Sequence, residues 1–424
     1  MKYLTILLFT LLSLLGANAQ EEAQVGKEGQ TTSPANYELN RLLSGDIQNT
    51  PRLTISLLTC EPSNSQIYTA WGHTAVRVQD PVLGIDIVFN YGIFSFDELG
   101  KFIYKFVKGE TDYMLGVGTY QRSKREAAHK NAYLYEQELN LTDAEKVKIL
   151  NALYENAKPE NRYYRYNFFF DNCATRPRVL IEESMDSEIN YPESTNQRTY
   201  REIIHELLKD MKWYTLGIDL CMGSPTDEVV TGKDILFLPV ELMNSFDKST
   251  KANGEAFVKS KEIIYTPINQ EEEKDFASCI PPIVASWILL FLILIHTFFY
   301  STWGKGDKWF DALLFGVAGL VGFAIFLLSF FSEHPCTFPN FNLLWINPLQ
   351  LIFAFSLISK KGEEWKRKFH LLNLGLICVT LLLGWTVQRF NPCCIPLMLC
   401  LALRSLHWVK PNFFNLRQKK ANQI

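Results

Sequence analysis

The sequence predicts an α+β domain exported from the cytoplasm, followed by an all-α membrane domain of about five transmembrane helices. Three observations lead to this prediction. The chain begins with an apolar segment of the signal-peptide type, its last third contains five long apolar stretches, and the residues between mix strand-like and helix-like patterns. A chain of 424 residues is also long enough for two or three domains.

The composition excludes several classes of protein. Hydrophobic residues make up 47% of the chain and charged residues 21%, which excludes a disordered chain, a collagen-like fibre and a disulfide-dense miniprotein. The net charge of −3 hides an asymmetry, because residues 279–424 contain 13 Lys and Arg but only 5 Asp and Glu. The preceding part is therefore acidic and has no strong basic field, so nucleic acid is not an expected partner.

Residues 1–19 have the three parts of an export signal. A positive start precedes an apolar run rich in Leu, and the segment ends in the small residues Ala17-Asn18-Ala19. We expect cleavage before Gln20, followed by a flexible lead over residues 20–36 that is rich in Gln, Glu, Thr and Ser. The alternative is a retained membrane anchor.

The exported domain is expected over residues 37–278, where strand patterns come first and helix patterns follow. This order predicts an α+β arrangement. The predicted elements are strands at Arg52–Cys60, His73–Gln79 and Ile85–Asn90, a helix at Phe94–Val107, a helix that begins with the capping box Thr142–Glu145 and ends before Pro159, helices at Thr175–Glu183 and Tyr200–Met211, and a strand at Ile235–Pro239.

Five apolar stretches predict a membrane domain over residues 279–410, with a cytoplasmic tail over 411–424. A spanning helix needs about 20 mostly apolar residues. The stretches are Pro281–Trp303, Trp309–Ser332, Phe341–Ser359, Phe369–Phe390 and Pro392–Trp408.

The basic residues around these stretches predict their orientation. Eleven Lys and Arg lie in one set of alternating connections and in the C-terminal tail, against one, Arg389, in the other set. Because basic connections stay in the cytoplasm, this bias places the C-terminus inside and the segment before Pro281 outside. The export signal predicts the same topology independently.

Cys173 is the candidate nucleophile of the exported domain. Asp171 or Asn172 is a suitable N-cap for the helix that follows, so Cys173 lies at the positive end of the helix dipole. That position, with Arg176 and Arg178 nearby, favours the reactive thiolate and is expected to lower the pKa of the thiol. The alternative is an inert, packed thiol. Cys60 and Cys221 are expected to be structural.

A nucleophilic thiol needs a group that removes and returns protons, and His is the usual choice. His73 opens a strand pattern and has neighbours that are expected to be buried, whereas His129 and His205 lie in patterns typical of the surface. We therefore take His73 as the candidate base. The alternative is a buried His with a structural role.

Further polar groups are needed to orient the imidazole and to hold an oxyanion. Asp86 and Asn90 share one face of the next predicted strand, and the sequence does not decide which of them faces His73. Backbone N–H groups at the start of the Cys173 helix, together with Asn172, are the candidate oxyanion donors. No metal, phosphate or nucleotide motif is recognisable, so no cofactor is expected.

Three segments resemble the exported domain of the Lnb-type lipoprotein transacylases. They are Gly72-His73-Thr-Ala-Val-Arg-Val, Phe89-Asn-Tyr-Gly and Asp171-Asn-Cys173-Ala-Thr-Arg, in the family's order. The resemblance covers roughly residues 50–245, and the signal peptide and multi-span C-terminus resemble the Bacteroidetes-type members. It implies a permuted papain-like, NlpC-type fold with Cys173 as nucleophile and His73 as base.

The resemblance also implies an activity. The family moves an acyl chain from the diacylglyceryl group of a bacterial lipoprotein to the α-amine of its N-terminal Cys, which gives an N-acylated lyso-form lipoprotein. The implied partners are diacylated lipoprotein and membrane lipid, and the implied location is the inner membrane, with the N-terminal domain in the periplasm and the C-terminus in the cytoplasm. The alternatives are a cell-wall cysteine amidase or peptidase, a phospholipid or ester hydrolase, and a non-enzymatic membrane binding module.

Overall fold

The computed structural model describes most of the predicted exported domain and most of the predicted membrane domain. The expected signal peptide, flexible lead and cytoplasmic tail, and most of the predicted helix Phe94–Val107, lie outside the described residues. The chain divides into two compact units, one of Met1–Gln197 with Val230–Glu271 and one of Arg198–Val229 with Glu272–Ile424. The described residues are 52–63, 67–94, 104–105, 107–268, 280–300, 305–357 and 362–410.

An antiparallel sheet forms the centre of the first unit. Its strands, in chain order, are β1 (Thr54–Cys60), β2 (His73–Asp80), β3 (Ile85–Ile93), β4 (Asp112–Thr119), β5 (Leu134–Leu139) and β6 (Tyr163–Arg165), then the short pair β7 (Ile189–Asn190) and β8 (Thr250–Lys251), and β9 (Val258–Tyr265). The seven-stranded sheet has the order β6-β4-β3-β2-β1-β5-β9, while β7 and β8 pair with each other. Together with the helices of this unit, the sheet confirms an α+β domain.

Helices follow in both units. Along the chain they are α1 (Tyr120–Lys130), α2 (Asp143–Ala157), α3 (Thr175–Ser184), α4 (Tyr200–Leu207), α5 (Lys212–Cys221), α6 (Pro239–Lys248), α7 (Pro282–Ile295), α8 (Lys305–Phe331), α9 (Leu349–Ser356), α10 (Glu363–Val387) and α11 (Cys394–Val409).

In the first unit, the predicted helices and strands are confirmed where the sequence has a helix cap or a strand pattern. The strands β1, β2 and β3 confirm the first three predicted strands. The capping box of α2 is present, because the Thr142 N–H donates to Glu145 Oε2 at 2.7 Å and the Glu145 N–H donates to Thr142 Oγ1 at 3.3 Å. The predicted helix Thr175–Glu183 is confirmed as α3.

One predicted element of the first unit is wrong. The apolar run Ile235–Pro239 is not a strand: a 3-10 helix over Gly232–Phe237 comes first, and α6 begins at Pro239. The fixed φ and missing N–H of proline suit the first position of a helix, so Pro239 starts a helix rather than ending a strand.

The second unit takes in a segment that was predicted to belong to the exported domain. Residues 198–229 lie within the predicted range 37–278, yet they pack with the C-terminal part. The amides of Asn340 and Asn342 donate to the backbone carbonyls of Leu220 and Asp219, at 2.9 and 3.0 Å. These bonds satisfy carbonyls at the end of α5 that the helix itself leaves unpaired.

His205 has a partly exposed side chain, as expected for the surface, but its ring also contacts a buried carboxylate. Its Nε2 lies 2.8 Å from the buried Asp219 carboxylate, which the Arg201 guanidinium and the Asn391 amide contact as well. Within the second unit, these contacts join α4 and α5 to the chain before α11.

All five predicted spans coincide with helical segments of the second unit. By length and composition, Asp307–Phe331 is the one described helix that is long and apolar enough to cross a membrane alone, and shorter apolar helices occur at Pro282–Phe298, Phe341–Ser356 and Cys394–Val409. The third predicted span is broken, since the 3-10 turn Phe341–Leu344 precedes α9. The number of five spanning helices stays a prediction.

Candidate active site

Strand β2 begins at a corner that only glycine fits. Gly72 has a φ of +74°, and a Cβ at this position would lie 2.7 Å from the Cys60 carbonyl oxygen. The absence of a side chain therefore lets β2 start directly beside the end of β1, with His73 opposite Cys60 in the register. His73 is consequently the first residue of a central strand, and it pairs with Cys60 on the β1 side.

The His73 ring is oriented by Asn90 of the neighbouring strand. Its Nε2 lies 3.2 Å from Asn90 Oδ1, while the Asn90 amide nitrogen donates to the Val88 carbonyl at 3.4 Å. An amide oxygen can only accept, so Nε2 carries the proton and Nδ1 keeps a lone pair. This tautomer presents Nδ1 as the basic nitrogen of the ring.

Cys173 lies in the turn that leads into α3. Just before it, the backbones of Asn167 and Asp171 close a turn over residues 168–170 with reciprocal 2.9 Å hydrogen bonds. The Cys173 sulfur accepts hydrogen bonds from the backbone N–H of Thr74 and from its own N–H. Since Thr74 follows His73 in β2, the Cys173 thiol is brought to the end of β2 that carries the His73 imidazole.

A β-bulge makes room for this approach. The pairing of β3 with β4 shifts register between Asn90 and Ile93, and Gly92 within the bulge has a φ of +90°. A Cβ on Gly92 would lie 3.8 Å from the Cβ of Cys173 and 3.2 Å from the Tyr166 ring. The segment Phe89-Asn-Tyr-Gly thus contributes Asn90 and a glycine that admits Cys173.

The thiol and the imidazole are a neutral pair. Burial raises the pKa of the Cys173 thiol, against the lowering effect of the two N–H groups. Burial, with the nearby Lys130, lowers the pKa of His73 to about 4. No hydrogen bond joins the two side chains, both of which the structure describes, so the resting arrangement is not a thiolate–imidazolium ion pair.

This result corrects the predicted direction of the thiol pKa. Cys173 is only 8% exposed, and desolvation disfavours the charged thiolate more than the helix start favours it. The two arginines expected to help are engaged elsewhere. Arg176 forms a bidentate pair with Asp171 at 2.6 and 2.7 Å, and Arg178 contacts Glu182 at 3.0 Å.

Asp86 lies away from the imidazole. In the register of β2 with β3, Asp86 is opposite Gln79, whereas Asn90 is opposite Ala75. Six residues separate Gln79 from His73, which corresponds to about 20 Å along a strand. The Asp86 carboxylate pairs with Arg77 at 2.7 and 2.8 Å instead, so Asn90 is the candidate that the fold brings to His73.

Asn172 precedes the helix and has no donor left for an oxyanion. Its Oδ1 accepts the N–H groups of Ala174 and Thr175 at 2.8 and 2.9 Å. Its amide nitrogen donates to the carbonyls of Phe168 and Phe237 at 2.8 and 2.9 Å. The N-cap position of α3 is Ala174 rather than Asp171 or Asn172, although the Asn172 side chain accepts the N–H groups that precede and begin the helix. Because the backbone N–H of Asn172 is also bonded, to Thr175 Oγ1 at 2.7 Å, the oxyanion role predicted for Asn172 is corrected.

Two tyrosines beside the thiol were not among the predicted site residues. Tyr164 and Tyr166 come just before the Cys173 turn, their rings lie 6.3 Å apart, and the charge of a Cys173 thiolate would raise the pKa of both hydroxyls. The alternation Tyr164-Arg165-Tyr166 next to the cysteine motif is the sequence signal that would have pointed to them.

An open groove borders the turn on its other side. It has a volume of about 580 Å³. It is lined by aromatic, aliphatic and charged side chains, including Tyr91, Phe170, Asp171, Arg176, Val179 and Glu183. Within the described part of the chain, no group of three or more His, Cys, Asp or Glu side chains is placed to hold a metal ion.

Comparison with known families matches both parts of the chain. A family model for the Lnb N-terminal periplasmic domain matches residues 46–206, and one for the Lnb transmembrane domain matches residues 271–412. The chain belongs to the Lnb family. The resemblance noted in the motifs is thereby confirmed over both units, and more than half of the residues lie within the two matches.

Membership of the Lnb family indicates a lipoprotein-processing protein of the inner membrane with a periplasmic N-terminal domain. Cys173 and His73 both lie within the residues that match the Lnb periplasmic domain. No curated protein and no solved structure matches the chain.

Proposed function

We propose that this Lnb-family protein is a thiol-dependent acyltransferase. It moves an acyl chain from the diacylglyceryl group of a lipoprotein to the α-amine of the N-terminal Cys and leaves the lyso-form. The observation that carries the proposal is that Cys173, just before α3, lies beside the end of β2 that carries His73. Asn90 of β3 contacts the His73 ring at the same place. The order of a histidine strand before a cysteine helix also supports a permuted papain-like arrangement.

In the first half-reaction the thiol takes the acyl group. His73 Nδ1 accepts the Cys173 proton as the sulfur attacks the ester carbonyl, which forms a tetrahedral oxyanion. The intermediate collapses, the C–O bond to glycerol breaks, and the imidazolium returns the proton to the leaving alkoxide. The products are a Cys173 thioester and the lyso-glyceryl lipoprotein. Apo geometry is often loose, and the missing hydrogen bond between thiol and imidazole forms when substrate closes the site.

In the second half-reaction the α-amine attacks the thioester. His73 accepts a proton from the amine, the C–S bond breaks, and the proton passes to the departing Cys173 sulfur. This step forms the amide product and restores the free thiol, and it needs no cofactor. The backbone N–H of Cys173 acts as a donor for the oxyanion in both steps.

The membrane domain gives this chemistry access to its substrate. Moving an acyl chain from the bilayer into water costs about 0.8 kcal/mol per CH₂ group. A periplasmic site joined to membrane helices meets the substrate without that cost. The proposal includes the predicted topology with five spans and a cytoplasmic C-terminus, which the distribution of Lys and Arg supports.

Purified full-length protein in phospholipid vesicles, given a synthetic diacylated lipopeptide, tests the proposed reaction. We expect a product with the mass of the substrate but no free α-amine, because the acyl group has moved within the lipopeptide. Release of free fatty acid with the α-amine intact would show a hydrolase. Cleavage of soluble peptidoglycan fragments would show a cell-wall amidase, and either result would contradict the acyltransferase.

Asn90 is proposed as the residue that positions the imidazole. Two replacements of Asn90 distinguish this role from a role in folding. In Asn90→Ala the ring loses its Nε2 partner, and we expect kcat to fall about 10- to 100-fold. Asn90→Asp keeps an acceptor and adds a charge that raises the pKa of His73. We therefore expect it to recover most of the rate and to move the acid limb of the pH–rate profile to higher pH. An acid limb unchanged in Asn90→Asp would contradict the assignment.

A further inference from the structure

Tyr164 carries a buried hydroxyl with an unusual environment. It is the middle residue of β6, between exposed Tyr163 and Arg165, and only 8% of it is exposed. Its hydroxyl has no hydrogen-bond partner among the described residues. A buried, unpaired hydroxyl costs free energy that phenylalanine would avoid, so its presence calls for a role outside packing.

The ring of Tyr164 is fixed over the first turn of the Cys173 helix. The Arg176 guanidinium lies 3.6 Å from the ring centroid, and the two oxygens of the Asp171 carboxylate accept hydrogen bonds from that guanidinium. The Tyr91 ring packs edge-on at 6.2 Å. With these contacts on its ring, the side chain is preorganised, and its buried hydroxyl is the part that lacks a hydrogen-bond partner among the described residues.

The Tyr164 side chain lies beside the thiol: its ring is 6.3 Å from that of Tyr166, and a Cβ on Gly92 would contact both the Tyr166 ring, at 3.2 Å, and the Cys173 Cβ, at 3.8 Å. Its hydroxyl is a proton donor at physiological pH. Burial raises the pKa of Tyr164, and a negative charge on Cys173 would raise it further. Two other polar groups near the turn are already engaged: the Tyr91 hydroxyl receives the Asn156 amide at 2.9 Å, and both polar atoms of the Asn172 amide group are bonded.

We propose that Tyr164 is a second oxyanion donor, which acts with the backbone N–H of Cys173 when an acyl carbonyl is attacked. The inference rests on the proposed acyl transfer at Cys173. In the resting protein the hydroxyl faces no partner, and in the tetrahedral intermediate it donates to the oxygen that carries the negative charge. A donor that is bonded only at that stage stabilises the transition state without tightening substrate binding.

Tyr164→Phe removes this donor and leaves the ring and its contact with Arg176. We expect kcat for lipopeptide N-acylation to fall about 10²- to 10³-fold with KM nearly unchanged. Because the lost hydroxyl is buried and unpaired, we expect the thermal unfolding midpoint to stay the same or to rise. The matched control is Tyr113→Phe, which removes a hydroxyl from the strand residue opposite Tyr164 and should keep the wild-type rate.

The outcomes distinguish the inference from the proposed function. Tyr164→Phe with the wild-type rate, while Cys173→Ala is inactive, would overturn the oxyanion role and leave the acyltransferase in place. Full activity of both variants would overturn the proposed function. A lower unfolding midpoint and an equal loss of rate in Tyr164→Phe and Tyr113→Phe would show a packing role and would also overturn the inference.

Discussion

Cys173→Ala is expected to abolish N-acylation, with a rate at least about 10³-fold below that of the wild type. The reason is that the acyl group has no other carrier between donor ester and acceptor amine in the proposed reaction. The measurement is mass spectrometry of lipoprotein N-termini from cells whose only copy of the protein is the variant. Accumulated diacylated lipoprotein with a free α-amine is the predicted result.

Cys60 provides a matched control for this experiment. It lies opposite His73 in the sheet register, and burial raises the pKa of its thiol to about 11. Unlike Cys173, it ends a strand and has no helix start to hold an oxyanion. Cys60→Ala should retain N-acylation. Loss of activity in Cys60→Ala but not in Cys173→Ala would show that Cys60, and not Cys173, is the nucleophile.

His73→Ala is expected to lower kcat by about 10²- to 10⁴-fold, because attack and leaving-group protonation both lose their proton carrier. The exposed His129→Ala is the control and should behave as the wild type. Retained activity in His73→Ala would contradict the role of the imidazole as base. The thioester and the amide product are expected to decrease together in this variant, since His73 serves both half-reactions.

The pH dependence of the wild type gives a second test of His73. The ring acts as a base only when it is neutral, and burial lowers its pKa from 6.5 to about 4. The His73 ring therefore becomes protonated, and loses its function as a base, only in acid. We expect activity to fall as the pH drops towards 4. A limb centred near the ordinary histidine pKa of 6.5 would show that the ring is more solvated than the structure indicates.

The elements that were predicted correctly are those whose own residues carry a recognisable pattern. Alternating apolar residues specify β1 to β3, and the Thr142 capping box specifies α2. The missed strands lack such a pattern. β9 is an edge strand whose residues are largely exposed, and β4 contains Gly116 and Gly118, so neither has the buried alternating face that predicts a strand.

The candidate site was predictable in its residue types but not in its pairing or electrostatics. The motifs identify Cys173 and His73, yet the choice between Asn90 and Asp86 depends on the β2–β3 register, which tertiary pairing determines. The direction of the Cys173 pKa depends on burial, which no neighbouring residue encodes. Tyr164 is recognised only when its hydroxyl is seen to lack a partner.

The most direct test of the account is to find the acyl group on the enzyme. Full-length protein in vesicles would be incubated with a diacylated lipopeptide whose α-amine is acetylated, so that the second half-reaction has no acceptor, then quenched in acid and digested. We predict an acyl thioester on the peptide that contains Cys173, removable by hydroxylamine and absent from Cys173→Ala. An acyl group on Cys60, or transfer to free lipopeptide amine with no Cys173 adduct under any quench time, would contradict the account.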